Sequence, residues 1–359
     1  MGLCLKKRLL IERPRPLGDK KRLWVHCASV GEFNTVLPIL KELKRDYSIA
    51  LTYFSPRAED YLREMGEFYD LLFPLPLDLP PFVRWFERFV RPERILIVER
   101  ELWPSLIAFT RSRKVLLNAR SGKNPLEGPL VRRFSLIIAR TERDEDTFRK
   151  RGAGRVVSCG NLKVVQEDVG DGEEINPPYK LFVAGSTREG EERIILKAFQ
   201  RLREEIPLRL VLAPRHIKRA REVGSLARSM GFRVSFKSLW ESGEWDVLVL
   251  DTLGELRDFY RRAWVTFVGG TFAPVGGHNL LEPAMRGKPV LFGPNTHKVR
   301  DIEELLVEKG YGFKVRSVDE LIRAVYRILK EGFKPRGDLR SYAKEVKACY
   351  LRELRLELL

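Results

Sequence analysis

The stretch LWVHCASVGEFNTVLPILKELK, Leu23–Lys44, decides the fold. Leu23–Ala28 is a short apolar run of strand length, and the turn Ser29-Val30-Gly31-Glu32 opens a helix whose Val36, Leu37, Leu40 and Leu43 form one stripe. A strand passing through a tight turn into an amphipathic helix is the repeating unit of an α/β protein. Working outward, the same alternation predicts first-half strands near Ser48–Phe54, Arg94–Val98, Lys114–Asn118, Ser135–Ala139 and Arg155–Cys159. Ser55-Pro56 suits an N-cap followed by proline at the first helical position. The Asp78-Leu79-Pro80-Pro81 break precedes a helix carrying Phe82, Trp85, Phe86 and Phe89.

Residues Gln166–Tyr179 are acidic, contain glycine and end in Pro177-Pro178, the composition of a linker. Beyond them, strands are predicted near Lys180–Ala184, Arg209–Ala213, Phe232–Phe236, Asp246–Leu250, Val265–Val268 and Pro289–Phe292. Capping boxes at Ser186/Glu189, Thr252/Glu255 and Ser317/Glu320 mark helix starts. A final helix, Leu339–Leu358, follows Pro335-Arg336-Gly337. The expected architecture is α/β: two doubly wound, Rossmann-like domains facing across a cleft, with ligands at the carboxyl ends of the strands. The boundaries are an N-terminal domain over 1–170, a linker over 171–179, a C-terminal domain over 180–338, and a helix over 339–359 that packs back on the first domain.

The chain has 359 residues, 44% of them hydrophobic, which suits a folded two-domain protein. No apolar run is long enough to span a bilayer. Met1–Arg8 has too short an apolar run for a signal peptide and lacks the hydroxyl residue of a myristoylation site. Cys4, Cys27, Cys159 and Cys349 are scattered, which argues against a zinc site or a disulfide framework and favours a reducing cytoplasm. Charged residues at 32% and only two glutamines, Gln166 and Gln200, resemble a thermophile's usage. Lys and Arg number 66 against 49 Asp and Glu, a formal charge of +17, so phosphate-bearing partners are expected. Residues 1–22 hold eight basic and two acidic side chains: a solvated arm, or a surface for an anionic bilayer. An oligonucleotide partner would also use such charge, but no nucleic-acid-binding module is present.

Glu32, in the first turn after the first strand, is either a complement to the helix dipole or a general base. Glu99-Arg100-Glu101-Leu102-Trp103-Pro104 closes another strand; its carboxylates are solvated, paired with Arg100, or functional. In the second half three strand ends favour anions: Pro214-Arg215-His216, Asp251-Thr252-Leu253-Gly254-Glu255 and Gly269-Gly270-Thr271. Gly276-Gly277-His278-Asn279 then leads into a helix bearing Glu282. Helix amides receive an anion, Arg215 clamps a phosphate, and Glu282 accepts ribose hydroxyls. His278 and His297 lack partners at metal-ligand spacing and are read as hydrogen-bonding groups.

Gly277-His278-Asn279-Leu280-Leu281-Glu282-Pro283-Ala284 and Gly287–Pro294 resemble the donor-nucleotide motif of GT-B glycosyltransferases. With Ala28–Glu32, Glu99–Pro104, Asn118-Ala119-Arg120, Gly160-Asn161-Leu162-Lys163 and Ser186–Glu192, they resemble the Kdo (3-deoxy-D-manno-oct-2-ulosonic acid) transferases of lipid A biosynthesis, from about Leu23 to Arg340. The resemblance implies metal-independent, inverting transfer of Kdo from CMP-Kdo to a lipid A precursor (lipid IVA), with no cofactor. It implies Glu32 as base, with Glu99 and Lys163 supporting the transition state, and Glu101 and Arg120 at the acceptor. CMP would be held by Ser186, Arg215, His216, Leu253, Gly254, Glu255, Leu256, Gly277, His278, Asn279, Leu280, Leu281 and Glu282. Members of this family often begin with a hydrophobic anchor; the short basic arm here implies peripheral attachment to the cytoplasmic face of the bacterial inner membrane. The alternative is another GT-B enzyme with a UDP-sugar, either a peptidoglycan glycosyltransferase or a sugar epimerase.

Overall fold

The computed structural model describes residues 2–122, 127–165, 179–239 and 243–359, so the linker placed at 171–179 lies, but for Tyr179, outside the described residues. The chain divides into two compact units, Met1–Glu167 with Ser341–Leu359, and Asp168–Arg340. Among the described residues no helix is long and apolar enough to cross a membrane.

The first unit is built on seven parallel strands: β1 (Arg22–His26), β2 (Ser48–Tyr53), β3 (Leu71–Pro74), β4 (Arg94–Val98), β5 (Arg113–Ala119), β6 (Leu136–Ala139) and β7 (Val156–Ser158). Their order is β3-β2-β1-β4-β5-β6-β7, so the chain switches direction across the sheet between β1 and β4. Near-continuous burial along these strands is what a parallel sheet covered on both faces requires. Trp24, Phe86, Ile95, Ile97, Leu116 and Ile137 belong to one core cluster. Each such side chain contributes roughly 1.5–3 kcal/mol by leaving water. Trp24 stays satisfied there because its indole N–H donates to Thr52 Oγ1 at 2.9 Å.

The last helix, Leu339–Leu358, packs on this first unit. Val346, Tyr350, Leu354 and Leu358, spaced four apart, are buried. Lys347 pairs with Glu42 at 2.9 Å and Arg155 with Glu353 at 2.6 Å. A disulfide joins Cys159 to Cys349 across 190 residues, leaving Cys27 buried and free. This corrects the expectation of no disulfide: spacing along the chain carries no information on a pair that only the returning helix brings together. The amino-terminal arm is also not a free tail. Residues Gly2–Arg8 form a helix, Arg8 Nε donates to Leu75 O at 3.0 Å, and its guanidinium lies 4.5 Å from the Phe54 ring centre.

The second unit repeats the plan with β8 (Lys180–Thr187), β9 (Leu208–Pro214), β10 (Val234–Phe236), β11 (Val247–Val249), β12 (Val265–Val268), β13 (Val290–Phe292) and β14 (Gly312–Lys314). The order is β10-β11-β9-β8-β12-β13-β14, all parallel, with the switch between β8 and β12. Phe182, Phe199, Leu210, Phe267 and Val325 anchor its core.

Of the three predicted capping boxes, Ser317 does cap its helix, accepting from Glu320 N at 3.2 Å. Ser186 does not: it lies within β8 at φ +55°, and the following helix, Glu191–Leu202, starts after Gly190. Thr252 is likewise displaced, because Glu255 itself is the N-cap of Leu256–Arg262. Ser55 makes no side-chain cap bond either; a 3₁₀ turn, Pro56–Ala58, follows it and runs into the helix Glu59–Glu64.

Candidate active site

In the first unit the site forms at the switch between β1 and β4, where two diverging helices leave the strand ends open. Ser29 caps the helix Val30–Leu43, its hydroxyl accepting from Glu32 N at 3.4 Å. Glu32 answers from the same turn: Oε2 accepts from the N–H of Ala28, the residue before the cap, at 2.7 Å and Oε1 from Ser29 Oγ at 3.2 Å. Burial, reinforced by the neighbouring Glu101 and Glu99 charges, pushes its carboxyl from the ordinary 4.5 up to about 7, against the pull of the Ala28 and Ser29 hydrogen bonds. One side chain thus combines a fixed rotamer, set by its hydrogen bonds, with a proton affinity raised by burial.

Glu99 follows β4 at φ +61°, a left-handed conformation unusual for a side-chain-bearing residue. Its carboxylate pairs with Arg140 at 2.9 Å and Lys163 at 2.8 Å. Burial alone would raise its pKa, but these two cations hold it below the usual carboxylate range. Arg100 is not its partner; it reaches Glu127 at 3.4 Å instead. Lys163 sits on a one-turn 3₁₀ helix, Leu162–Val164, that Asn161 caps by accepting from Lys163 N at 3.0 Å. Asn118, buried at φ +52°, accepts from Leu162 N at 2.9 Å. Behind that turn the Tyr350 hydroxyl lies 3.1 Å from Gly160 O, and a Cβ on Gly160 would meet Tyr342 Oη at 2.6 Å. The last helix and its disulfide therefore brace the turn that presents Lys163. Arg120 is exposed just past β5.

Glu101 accepts from the Trp103 indole N–H at 2.9 Å, and burial, with Glu99 nearby, raises its pKa. Sequence reasoning passed over its neighbour His26. This fully buried ring donates from Nδ1 to Thr52 O at 3.2 Å, which leaves Nε2 bare and 4.0 Å from Glu101 Oε2. Burial pushes the imidazole down to about 3, so this is no ion pair. The signal available in the sequence was a histidine at the end of a strand, which is weak by itself.

The second unit holds a cavity of about 200 Å³ past the ends of β8, β9 and β11, lined among others by Ser186, Pro214, Arg215, Leu253, Arg257 and Glu282. Gly254 and Leu256 border it as well. Glu282 lies 3.4 Å from Arg257, and Glu255 pairs with Lys237 at 3.0 Å. Leu280 and Leu281 are buried in the core rather than lining the cavity, and Asn279 is exposed. Two further readings are corrected here. The helix after Asn279 is one turn, Leu281–Ala284, so its dipole is small and side chains supply the positive charge. The amides after Gly269 are not open to an anion. Buried Glu191 takes them all: Oε2 accepts from Arg188 N and Gly270 N, both at 2.8 Å, and Oε1 from Thr271, Phe272 and Ala273 N at 2.9, 2.8 and 3.2 Å. Gly269 has to be glycine, since a Cβ there would lie 2.4 Å from Ser186 O. His216 and His278 both converge on Arg188, at 2.8 and 3.1 Å.

Comparison with known proteins follows this geometry. The UDP-GlcNAc 2-epimerase of Neisseria meningitidis superposes with a TM-score of 0.60 at 12% identity, over 91% of this chain and 94% of that one. MurG of Acinetobacter baumannii superposes at 0.57 and 11%, over 91% and 95%. Those likenesses establish the GT-B architecture that glycosyltransferases and sugar epimerases share. The family model for 3-deoxy-D-manno-octulosonic-acid transferase (kdotransferase) matches residues 4–166. A 3-deoxy-D-manno-octulosonic acid transferase of Aquifex aeolicus is 47% identical over 94% of this chain and 93% of its own length. That of Haemophilus influenzae is 32% identical over 88% and 80%. The chain belongs to the Kdo transferase family and is a glycosyltransferase.

Proposed function

We propose that the chain moves Kdo from CMP-Kdo to a hydroxyl of a lipid A precursor (lipid IVA), with inversion and without metal or cofactor. The observation that carries this is Glu32, a carboxyl fixed by two hydrogen bonds and raised to about 7. A base of that proton affinity takes a proton from an acceptor hydroxyl at neutral pH, a role worth roughly 10²–10⁴-fold in rate. The acceptor oxygen attacks the anomeric carbon as the phosphate leaves from the opposite face, and the configuration inverts. The transition state has oxocarbenium character, as in glycoside chemistry generally. The Glu99–Arg140–Lys163 group sets the charge around that centre, and Glu101 with Arg120 contacts the acceptor.

On the donor side Ser186, Leu253, Gly254 and Glu282 border the nucleoside cavity, with Glu282 accepting from ribose hydroxyls. His216, Glu255, Leu256, Gly277, His278 and Asn279 complete the donor site. Arg215, which has no carboxylate partner among the described residues, neutralises the departing phosphate in the place a metal ion takes elsewhere. We assign the site of action to the cytoplasmic face of the bacterial inner membrane. Exposed Leu5, Ile11 and Leu79 support this, since they accompany Lys6, Arg84 and Arg88 and the Arg13 guanidinium lies 5.9 Å from the Trp85 ring centre.

Incubation with CMP-Kdo and tetraacylated lipid A precursor, followed by mass spectrometry of the lipid, tests the assignment. A mass increase by Kdo units supports it. Turnover of UDP-sugars in place of CMP-Kdo would overturn it.

A further inference from the structure

Arg188 follows β8 at the switch point of the second unit, and its half-buried guanidinium is held by two imidazoles. Nε donates to His278 Nε2 at 3.1 Å and Nη1 donates to His216 Nε2 at 2.8 Å. A guanidinium only donates, so each ring presents a bare Nε2. Burial first, then the Arg188, Arg215 and Lys298 charges, push the His278 ring down to about 4. The neutral His278 ring therefore helps to orient the guanidinium without cancelling its charge.

Three carboxylates of this region are committed elsewhere. Glu191 serves five backbone N–H groups, Glu192 pairs with Arg219 at 2.9 Å and accepts from Thr187, and Glu282 faces Arg257. Among the described residues neither Arg188, Arg215 nor Lys298 has a carboxylate partner, although all three act on the same histidine. Three mutually repelling cations without a counter-charge describe a site prepared for an anion. Arg215 lines the nucleoside cavity, whereas Arg188, His216 and His278 do not. They form a second anion position beyond the first.

We propose that Arg188, oriented by His216 and His278, is the seat of the carboxylate of the donor sugar, while Arg215 takes the phosphate. The inference rests on CMP-Kdo being the donor. In a 2-ulosonic acid the carboxylate is bonded to the anomeric carbon, so only the ester oxygen and that carbon separate it from phosphorus. A donor of this class carries two anions side by side, and a pyranosyl UDP-sugar does not carry that carboxylate. Arg188 is thereby a specificity determinant for an acidic ketose. It also holds the bond to be broken from the sugar side.

The experiment compares CMP, which lacks the carboxylate, with CMP-Kdo, in the full chain and in its Arg188→Ala and Arg188→Lys variants. Calorimetry gives CMP affinity, and steady-state kinetics give KM and kcat for CMP-Kdo. The expected result is CMP affinity within about threefold of wild type and a KM for CMP-Kdo raised roughly 10–100-fold in Arg188→Ala, the size of a lost charge-assisted hydrogen bond. Arg188→Lys restores part of it, because an ammonium keeps the charge but not the fork. Equal weakening of CMP and CMP-Kdo would move Arg188 to the phosphate and overturn the proposal, as would an unchanged KM. If the wild-type chain itself does not turn over CMP-Kdo, the donor assignment falls and takes this inference with it. Turnover by the wild type with unchanged variants defeats the inference alone.

Discussion

Glu32 and Glu191 each stand in the first turn of the helix that follows a strand at the switch point of a sheet, and they do opposite work. Glu32 accepts from one backbone N–H and one hydroxyl, remains near two other carboxylates, and is raised to about 7. Glu191 accepts from five backbone N–H groups and is buried. The same fold position holds a carboxyl of raised proton affinity in one unit and a structural latch in the other. What differs is the loop after the neighbouring strand. After β4 it brings Glu99 and Glu101, which crowd Glu32 with negative charge. After β12 it brings Gly269-Gly270-Thr271, whose amides close onto Glu191, and among the described residues the cations beyond it have no carboxylate partner. One unit gathers carboxylates and the other gathers cations without a carboxylate partner among the described residues, the division that the proposed roles of acceptor activation and anion binding require.

The largest effect is expected from Glu32→Gln, which keeps size and hydrogen bonding to Ala28 but cannot take a proton. Kdo transfer should fall by roughly 10²–10⁴-fold while CMP affinity is unchanged. Activity within tenfold of wild type would erase the functional half of the comparison and return Glu32 to a capping role, which is worth about a kcal/mol or less of stability.

Arg215→Ala should act only on the other side. Loss of a charge-assisted phosphate contact raises the Kd for CMP by roughly 10–100-fold, read by calorimetry, with the melting temperature unmoved. Unaltered CMP affinity would remove Arg215 from the donor site.

Glu191→Ala tests the latch. It leaves five N–H groups without their acceptor, and water repairs part of that deficit. A net loss of about 3 kcal/mol lowers the melting of the second unit by roughly 6–12 °C. Glu32→Ala, removing a cap that holds one strand-end amide, should shift melting far less. Equal shifts in the two variants would mean that the carboxylates are interchangeable as structural groups, contrary to the comparison drawn above.

How far the sequence foretold this division can be judged residue by residue. Alternating strand and helix patterns disclosed the α/β class, and the strand ends bearing Glu32, Glu99 and Arg215 were visible because ligands gather at carboxyl ends. β3 and β14 escaped notice because Leu71–Pro74 is four residues ending in proline and Gly312–Lys314 is three residues beginning with glycine. Ser186 looked like a cap since a serine three residues before a glutamate is a local pattern, whereas it takes a left-handed φ inside the strand, with its carbonyl packed closely against Gly269. Arg188 stood inside the Ser186–Glu192 segment with no role of its own. Its meaning depends on histidines 28 and 90 residues away, and the Cys159–Cys349 bond on a helix 190 residues away. Local patterns reveal elements and strand ends; partners brought together by topology do not show in them.

The smallest effect is the most diagnostic of the raised Glu32 pKa. In the unfolded chain Glu32 ionises near its ordinary 4.5, whereas in the folded protein it holds its proton up to about 7. Between those values the native state binds more protons than the unfolded state at this site, so stability falls as pH rises through the window and levels off above it. Ionised Glu32 is thus a destabilising group at neutral and alkaline pH and neutral in effect below about 4.5. Glutamine carries no charge at any pH and escapes the penalty. The melting temperature of Glu32→Gln, relative to wild type, should therefore climb between pH 5 and pH 8 by a few degrees, corresponding to ~1–3 kcal/mol. Thermal melts of both proteins across that range measure it. A difference that stays flat with pH would mean Glu32 ionises like an exposed carboxylate, and its claim to be the base would then rest on rate measurements alone. A difference that climbs, alongside the lost transfer, ties the cost in stability and the catalytic use to the same proton.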